Sequence, residues 1–192
     1  MPVRQTIPYH SGTFFITFTC YNWLSLIDAA DGYDVLYHWF NHLIAQGHYV
    51  NGYVLMPNHV HALISFRRTE QSINTIIANG KRFAAYELVK RLEALHHPFL
   101  AQLRDVSAPR SARGKLHNVW ELSFDWKDCR SDAFMLQKLE YMHANPVRGV
   151  WNLCTDAEAY LHSSALFYGT GAQPQWGTIT HYLQMQDINL EK

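Results

Sequence analysis

Met56-Pro57-Asn58-His59-Val60-His61-Ala62-Leu63-Ile64 opens an apolar run that reaches Phe66. Proline and asparagine turn the chain ahead of it. The β-branched and apolar residues that follow predict a strand over 59–66. Side chains alternate across a strand, so His59 and His61 share one face while Val60 and Ala62 share the other. The segment 49–55 reads as another strand, near enough in sequence to pair with 59–66 as a hairpin. The turn at Pro57-Asn58 is expected to leave the two histidines at an accessible sheet edge.

Working outward, Thr13-Phe14-Phe15-Ile16-Thr17-Phe18-Thr19-Cys20 alternates threonine with apolar residues and predicts a first strand. Between it and the hairpin, Val35, Leu36, Trp39, Phe40, Leu43 and Ile44 are spaced as one face of a helix over 31–46, with Gly47 as its stop. A second helix is predicted over 72–94 from Ile73, Ile76, Ile77, Phe83, Ala84, Leu88 and Leu92, with Gly80 inside it at a cost in helix propensity. The apolar stretch 118–124 predicts a fourth strand. Ser131 is a suitable N-cap for a last helix running to about Asn145, which Pro146 ends. The order β-α-β-β-α-β followed by a helix is that of an α+β, ferredoxin-like βαββαβ sandwich. It has a four-stranded antiparallel sheet, helices on one face and an extra C-terminal helix. The expected organisation is a single domain over 1–192, with a core at about 10–150 and a C-terminal tail, 151–192, packed over it. Residues 104–116 carry Arg104, Arg110, Arg113 and Lys115 among small and turn-forming residues and read as a basic loop.

Composition narrows the function classes. The 192 residues are 48% hydrophobic and 17% charged, which fits a folded chain and not a disordered one. No apolar window is long enough to span a membrane, and Met1–Thr6 lacks the apolar core of a signal peptide. A cytoplasmic location is expected. The cysteines, Cys20, Cys129 and Cys154, are odd in number and include no CxxC pair, so free thiols in a reducing compartment are expected. The formal net charge is zero. That argues against a strongly basic nucleic-acid binder but leaves room for local basic patches.

Two stretches carry chemistry. Two imidazoles on one face of a stiff strand are a starting point for a divalent metal site. A histidine-rich chain also yields such pairs without any metal. The second stretch is the last helix, Phe134-Met135-Leu136-Gln137-Lys138-Leu139-Glu140-Tyr141-Met142-His143-Ala144-Asn145-Pro146. Met135, Leu139 and Met142 fall on one face, and Lys138, Tyr141 and Asn145 on an adjoining polar stripe. A boundary tyrosine with a hydrogen-bonded hydroxyl, and Asn145 as a C-cap, would give the same spacing. Taken together, the two stretches allow more. A metal held by two histidines can polarise a phosphodiester, and a neighbouring phenol can attack the phosphorus to give a covalent phosphotyrosine. Asn145 could supply a third ligand, and Lys138 could orient the phosphate or help deprotonate the phenol.

The pairing of Pro57-Asn58-His59-Val60-His61 with Leu139-Glu140-Tyr141-Met142-His143-Ala144-Asn145-Pro146-Val147-Arg148-Gly149 resembles the two signatures of the HUH single-strand DNA transposases. The nearest branch is the insertion-sequence-200-like, REP-associated tyrosine transposases (RAYT). Ala78–Glu87, Ser123–Arg130 and His162–Ala165 are similar to stretches within one subgroup, and the likeness covers most of residues 10–168. The resemblance implies His59 and His61 as metal ligands, Asn145 as a polar residue that helps hold the metal, and Tyr141 as the nucleophile. It implies a transposase that cuts and rejoins single-stranded DNA folded as an imperfect hairpin, through a 5′-phosphotyrosine that frees a 3′-hydroxyl. The implied metal is Mg²⁺ or Mn²⁺. Relatives include dimers that share active sites and forms that act alone, so both a homodimer and a monomer stay open. The chain departs from the family in being neutral and in carrying a longer insert at 95–116.

Phosphate or DNA contact is expected from Lys81 and Arg82 on the second helix, from Lys138, and from Arg148 just past the last helix. A solvated helix face would also explain Lys81 and Arg82. Trp120, Phe124 and Trp126 could stack bases, though core packing accounts for each of them better. The alternative function is a hairpin-DNA-binding protein, domesticated or catalytically inactive.

Overall fold

The computed structural model describes residues 6–104, 117–122 and 124–191. Its strands are β1 (Gly12–Thr19), β2 (Tyr49–Leu55), β3 (His59–Phe66) and β4 (Asp125–Asp128). The helices are α1 (Leu26–Ala29), α2 (Tyr33–Ala45), α3 (Ile73–Ala94), α4 (Phe99–Leu103), α5 (Asp132–His143) and α6 (Ala165–Thr170). The sheet order is β2-β3-β1-β4 and every pairing is antiparallel. Two split β-α-β units interlock in this order, which is the ferredoxin-like arrangement expected from the sequence.

Alternation along the strands sets the two faces. Phe14, Ile16 and Phe18 of β1 and Val60, Ala62, Ile64 and Phe66 of β3 join one core with α2 and α3. In that core Gly80 has a role beyond its helix cost: a Cβ there would lie 2.2 Å from the Trp39 ring nitrogen. Its absence lets α3 close onto α2. Ser72 caps α3 by accepting from the Thr75 amide, and Gly47 leaves α2 at φ +85°, the left-handed geometry glycine adopts freely.

The opposite face of the sheet is covered too. Phe15, Leu63 and Val54 meet Met135, Leu139 and Met142 of α5 in a second core. The extra helix therefore lies across the side that the sandwich helices leave open. Gly52 permits this approach, since a Cβ on it would sit 2.4 Å from Leu139 Cδ2. A bulge between Val50 and Gly52 shifts the register of β2 against β3, which re-aims the strand there. The outer edge of β2 is sealed by the C-terminal residues. Leu55 N donates to His162 O at 2.8 Å, Ser164 N to Tyr53 O at 2.9 Å and Thr180 N to Val50 O at 3.0 Å. Pairing of this kind protects an edge that would otherwise template aggregation.

Two expectations need correction. The fourth strand lies at Asp125–Asp128 and not at 118–124. In the expected segment, Val119 and Trp120 are buried and Trp120 makes only an isolated bridge to Cys20. Its indole donates to Lys81 O at 2.7 Å and packs edge-on against Phe18. The apolar residues there fill the core beneath α3, while the ladder beside β1 is made by a polar, alternating edge strand. The second correction concerns the histidines. They sit on β3, a central strand, and each is 5% exposed, because α5 and the residues after it roof that face. Of the basic loop only Arg104 is described; Arg110, Arg113 and Lys115 lie outside the described residues. Among the described residues no helix is long and apolar enough to cross a membrane.

Candidate active site

The histidine face of β3 runs from Ser65 through Leu63 to His61 and His59. Antiparallel register sets Thr17 opposite His61 and Thr19 opposite His59. The two imidazole centroids are 4.9 Å apart. Each ring has its Nδ1 engaged. His59 Nδ1 lies 2.7 Å from Asn58 Oδ1. The Asn58 amide nitrogen donates to Trp23 O at 2.9 Å, which fixes its oxygen as the acceptor and makes His59 Nδ1 the donor. His61 Nδ1 lies 2.6 Å from Thr17 Oγ1. Partners of this sort orient a ring, and the Asn58 contact also sets the His59 tautomer, leaving Nε2 of His59 as the nitrogen with a lone pair.

Electrostatics favour the neutral rings. Burial pushes the His59 imidazole down to about 4, with a side-chain hydrogen bond to Asn145 opposing the shift. Burial pushes His61 down to about 3, and the charges of His59 and Lys138 add to it. Low dielectric disfavours the imidazolium, so both rings keep free lone pairs at neutral pH.

Helix α5 brings the phenol. Ser131 caps it by accepting from the Phe134 amide, and Met135, Leu139 and Met142 anchor its buried stripe. That seating turns the Lys138, Tyr141, Asn145 flank toward the histidines. The Tyr141 ring centroid is 5.4 Å from that of His61 and 6.1 Å from Phe15. Tyr141 is 52% exposed, so it stands at the open side of the site. Lys138 Nζ lies 5.9 Å from the Tyr141 centroid, 5.5 Å from that of Phe15 and 4.9 Å from that of Phe134. Asn145 follows the helix in a short 3-10 turn, Asn145–Val147. Its amide nitrogen donates to Tyr141 O at 2.9 Å, which leaves its oxygen for the His59 side. His143 Nε2 meets Ser164 Oγ at 2.7 Å, tying the end of α5 to the segment along β2.

The structure thus brings His59, His61, Lys138, Tyr141 and Asn145 of one chain together. Lys81 and Arg82 lie elsewhere. Lys81 Nζ sits over the Phe18 ring at 5.6 Å and donates to Glu121 O at 3.2 Å, on the α3 side of the sheet. The Arg82 guanidinium lies over Phe83. Arg148 is exposed just beyond the 3-10 turn. Four residues that sequence reasoning passed over belong to the site: Thr17 and Asn58, which hold the imidazoles, and Trp23 and Trp151, whose rings lie 6.0 Å and 5.9 Å from His59. Thr17 could have been found from its strand alternation, since it shares a face with Phe15 and Thr19. The tryptophans left no such signal.

The donor set fits a catalytic metal better than a structural one. It offers two neutral imidazoles and one amide oxygen, and among the described residues no group of three or more His, Cys, Asp or Glu side chains could close a cage. Such a site keeps coordination positions for substrate oxygens.

No protein-family profile matches the chain, and no curated protein matches it in sequence. Several solved structures resemble it, these two among them. One, a transposase assignment from Deinococcus radiodurans, shares 16% identity over 72% of this chain and 95% of its own, at a TM-score of 0.36, too low to carry weight. The other is a REP-associated tyrosine transposase bound to a REP hairpin. It covers 95% of both chains at a TM-score of 0.60 and 16% identity. With its four-stranded antiparallel sheet and added helix, the chain shares the fold of a REP-associated tyrosine transposase.

Proposed function

We propose that this chain is a metal-dependent strand transferase acting on single-stranded DNA, with hairpin DNA as the substrate class. The observation that carries the reading is the meeting of Tyr141 with the His59/His61 pair within one chain. The fold shared with a transposase that was solved bound to a REP hairpin supports the same substrate.

In this reading His59 and His61 hold a divalent cation through Nε2, with the Asn145 amide oxygen beside them. When bound, the cation polarises the scissile phosphate and offsets charge gathering on its oxygens. Imidazole donors suit Mn²⁺ better than Mg²⁺. The Tyr141 oxygen attacks the phosphorus, forming a phosphotyrosine as the bond to the 3′ oxygen breaks. Tyr141 gives up its phenolic proton to the solvent that reaches it, and the departing oxygen takes a proton to become a 3′-hydroxyl. Lys138 places a positive charge beside Tyr141, where it steers the phosphate. No nucleoside triphosphate is required, because the phosphotyrosine retains the bond energy for rejoining. Asn58 holds His59 in the tautomer this needs, and Thr17 fixes the orientation of the His61 ring.

The test is a denaturing gel. Protein incubated with end-labelled hairpin DNA and Mn²⁺ gives a covalent protein–DNA adduct. The adduct is lost in Tyr141→Phe and lost when a chelator is added. Salt-sensitive binding without any adduct would replace this reading with that of a non-cutting hairpin binder.

A further inference from the structure

The chain between β1 and α1 is built around an unusual tryptophan. Asn22 and Trp23 both have left-handed backbone, at φ +50° and φ +57°. A bulky residue there is strained. The turn is held in place by its neighbours: Cys20 N donates to Asn58 O, Tyr21 N to Val119 O, Trp23 N to Cys20 O and Asn22 N to Glu121 Oε1. Trp23 O in turn accepts from the Asn58 amide that orients His59. The result is a large apolar side chain that is 65% exposed at the lip of the histidine pair. Its ring is 6.0 Å from the His59 ring, and the half-buried Trp151 approaches the same imidazole at 5.9 Å. Trp151 arrives two residues after Gly149, whose φ of +64° also turns the backbone.

A strained backbone that keeps an indole out of the core calls for a use at the surface. Every nucleobase has a flat π-face, and an indole stacks on one whatever its sequence. A single strand threaded past Tyr141 carries unpaired bases on either side of the attacked phosphate, and these have no partner strand to stack on. We propose that Trp23 is a stacking platform for the unpaired nucleotide adjacent to the phosphate that Tyr141 attacks, with Trp151 as the facing wall. The proposal rests on the strand-transferase reading of the site. It makes Trp23 a substrate-positioning residue that acts on binding and placement.

Binding is measured without chemistry, in the Tyr141→Phe protein with chelator at low salt. The probe is a short oligothymidylate carrying one 2-aminopurine, whose emission is quenched when it stacks. Trp23→Ala lowers affinity about tenfold, within the range for one base–aromatic stack, and removes the quench at one probe position. Trp23→Phe restores most of both. Trp23→Gly relaxes the left-handed backbone, so it keeps or raises the melting temperature while binding falls. A merely structural tryptophan would lose both together. Wild-type affinity and quench in Trp23→Ala, or Trp23→Phe binding as poorly as Trp23→Ala, overturns the proposal while the adduct assay still stands. Absence of oligonucleotide binding by the Tyr141→Phe parent overturns it together with the reading beneath it.

Discussion

Lowering the pH should destabilise this protein through its site. In the folded chain burial holds His59 at about 4 and His61 at about 3, against 6.5 when solvated. Between these values the unfolded chain binds protons that the folded chain refuses. Stability is therefore complete above pH 6.5 and falls as the pH drops toward the folded values. From pH 7 to pH 5, linkage gives a loss on the order of 2 kcal/mol for each histidine, or roughly 4 kcal/mol for the pair. Typical domains hold only about 5–15 kcal/mol, so the effect is large. The assay is urea unfolding at pH 7, 6 and 5 with chelator present. The His59→Gln/His61→Gln variant should lose about 4 kcal/mol less over that range, keeping the smaller slope due to buried groups such as His143, which is also pushed down, to about 4. With Mn²⁺ present the acid loss should move to lower pH, because a metal-bound imidazole cannot take a proton. An equal pH slope in wild type and double variant would refute the reasoning, since the pair would then be solvated in the folded chain.

Thr17→Val removes the partner of His61 Nδ1 while keeping a β-branched residue in β1. It should weaken Mn²⁺ by about 10- to 100-fold, read as the metal concentration giving half-maximal adduct, with full yield recovered at high metal. Gly52→Ala sets a methyl against Leu139 and should push α5 off the sheet. Overpacking of about 1–3 kcal/mol in thermal unfolding should come with a larger fall in adduct than in Mn²⁺ affinity. Raising the salt should weaken hairpin binding steeply through lost phosphate contacts; Lys138→Ala should reduce that salt slope, measured by filter binding.

The parts of the fold that were legible are those where one residue pattern dictates one structure. The threonine–apolar alternation of β1, the apolar spacing of α2 and the Ser131 cap of α5 all produced the expected elements. The fourth strand was missed because apolar content is not ladder formation. Val119 and Trp120 are apolar to fill space beneath α3, whereas Asp125–Asp128 is charged because it is an exposed edge. The burial of the histidines was missed because a local turn says nothing about a helix, α5, that arrives much later in the chain and packs over them. The site shows the same division. His59 and His61 stand out by their spacing on β3, whereas Tyr141 stands out only through its pairing with them and the family resemblance, since its spacing on α5 also suits a boundary tyrosine. Thr17 depends on the β1–β3 register, and Trp23 and Trp151 depend on where two loops end. Lys81 and Arg82, expected to contact DNA, lie over Phe18 and Phe83, on a different side of the sheet from the histidines.

The most direct measurement of the central claim is the fate of a labelled hairpin on Tyr141→Phe and on His59→Ala/His61→Ala. The account predicts a covalent adduct with wild type and Mn²⁺. It predicts none with either variant, and retained hairpin binding by Tyr141→Phe. An adduct that survives Tyr141→Phe, or cleavage that persists without both histidines, would contradict it.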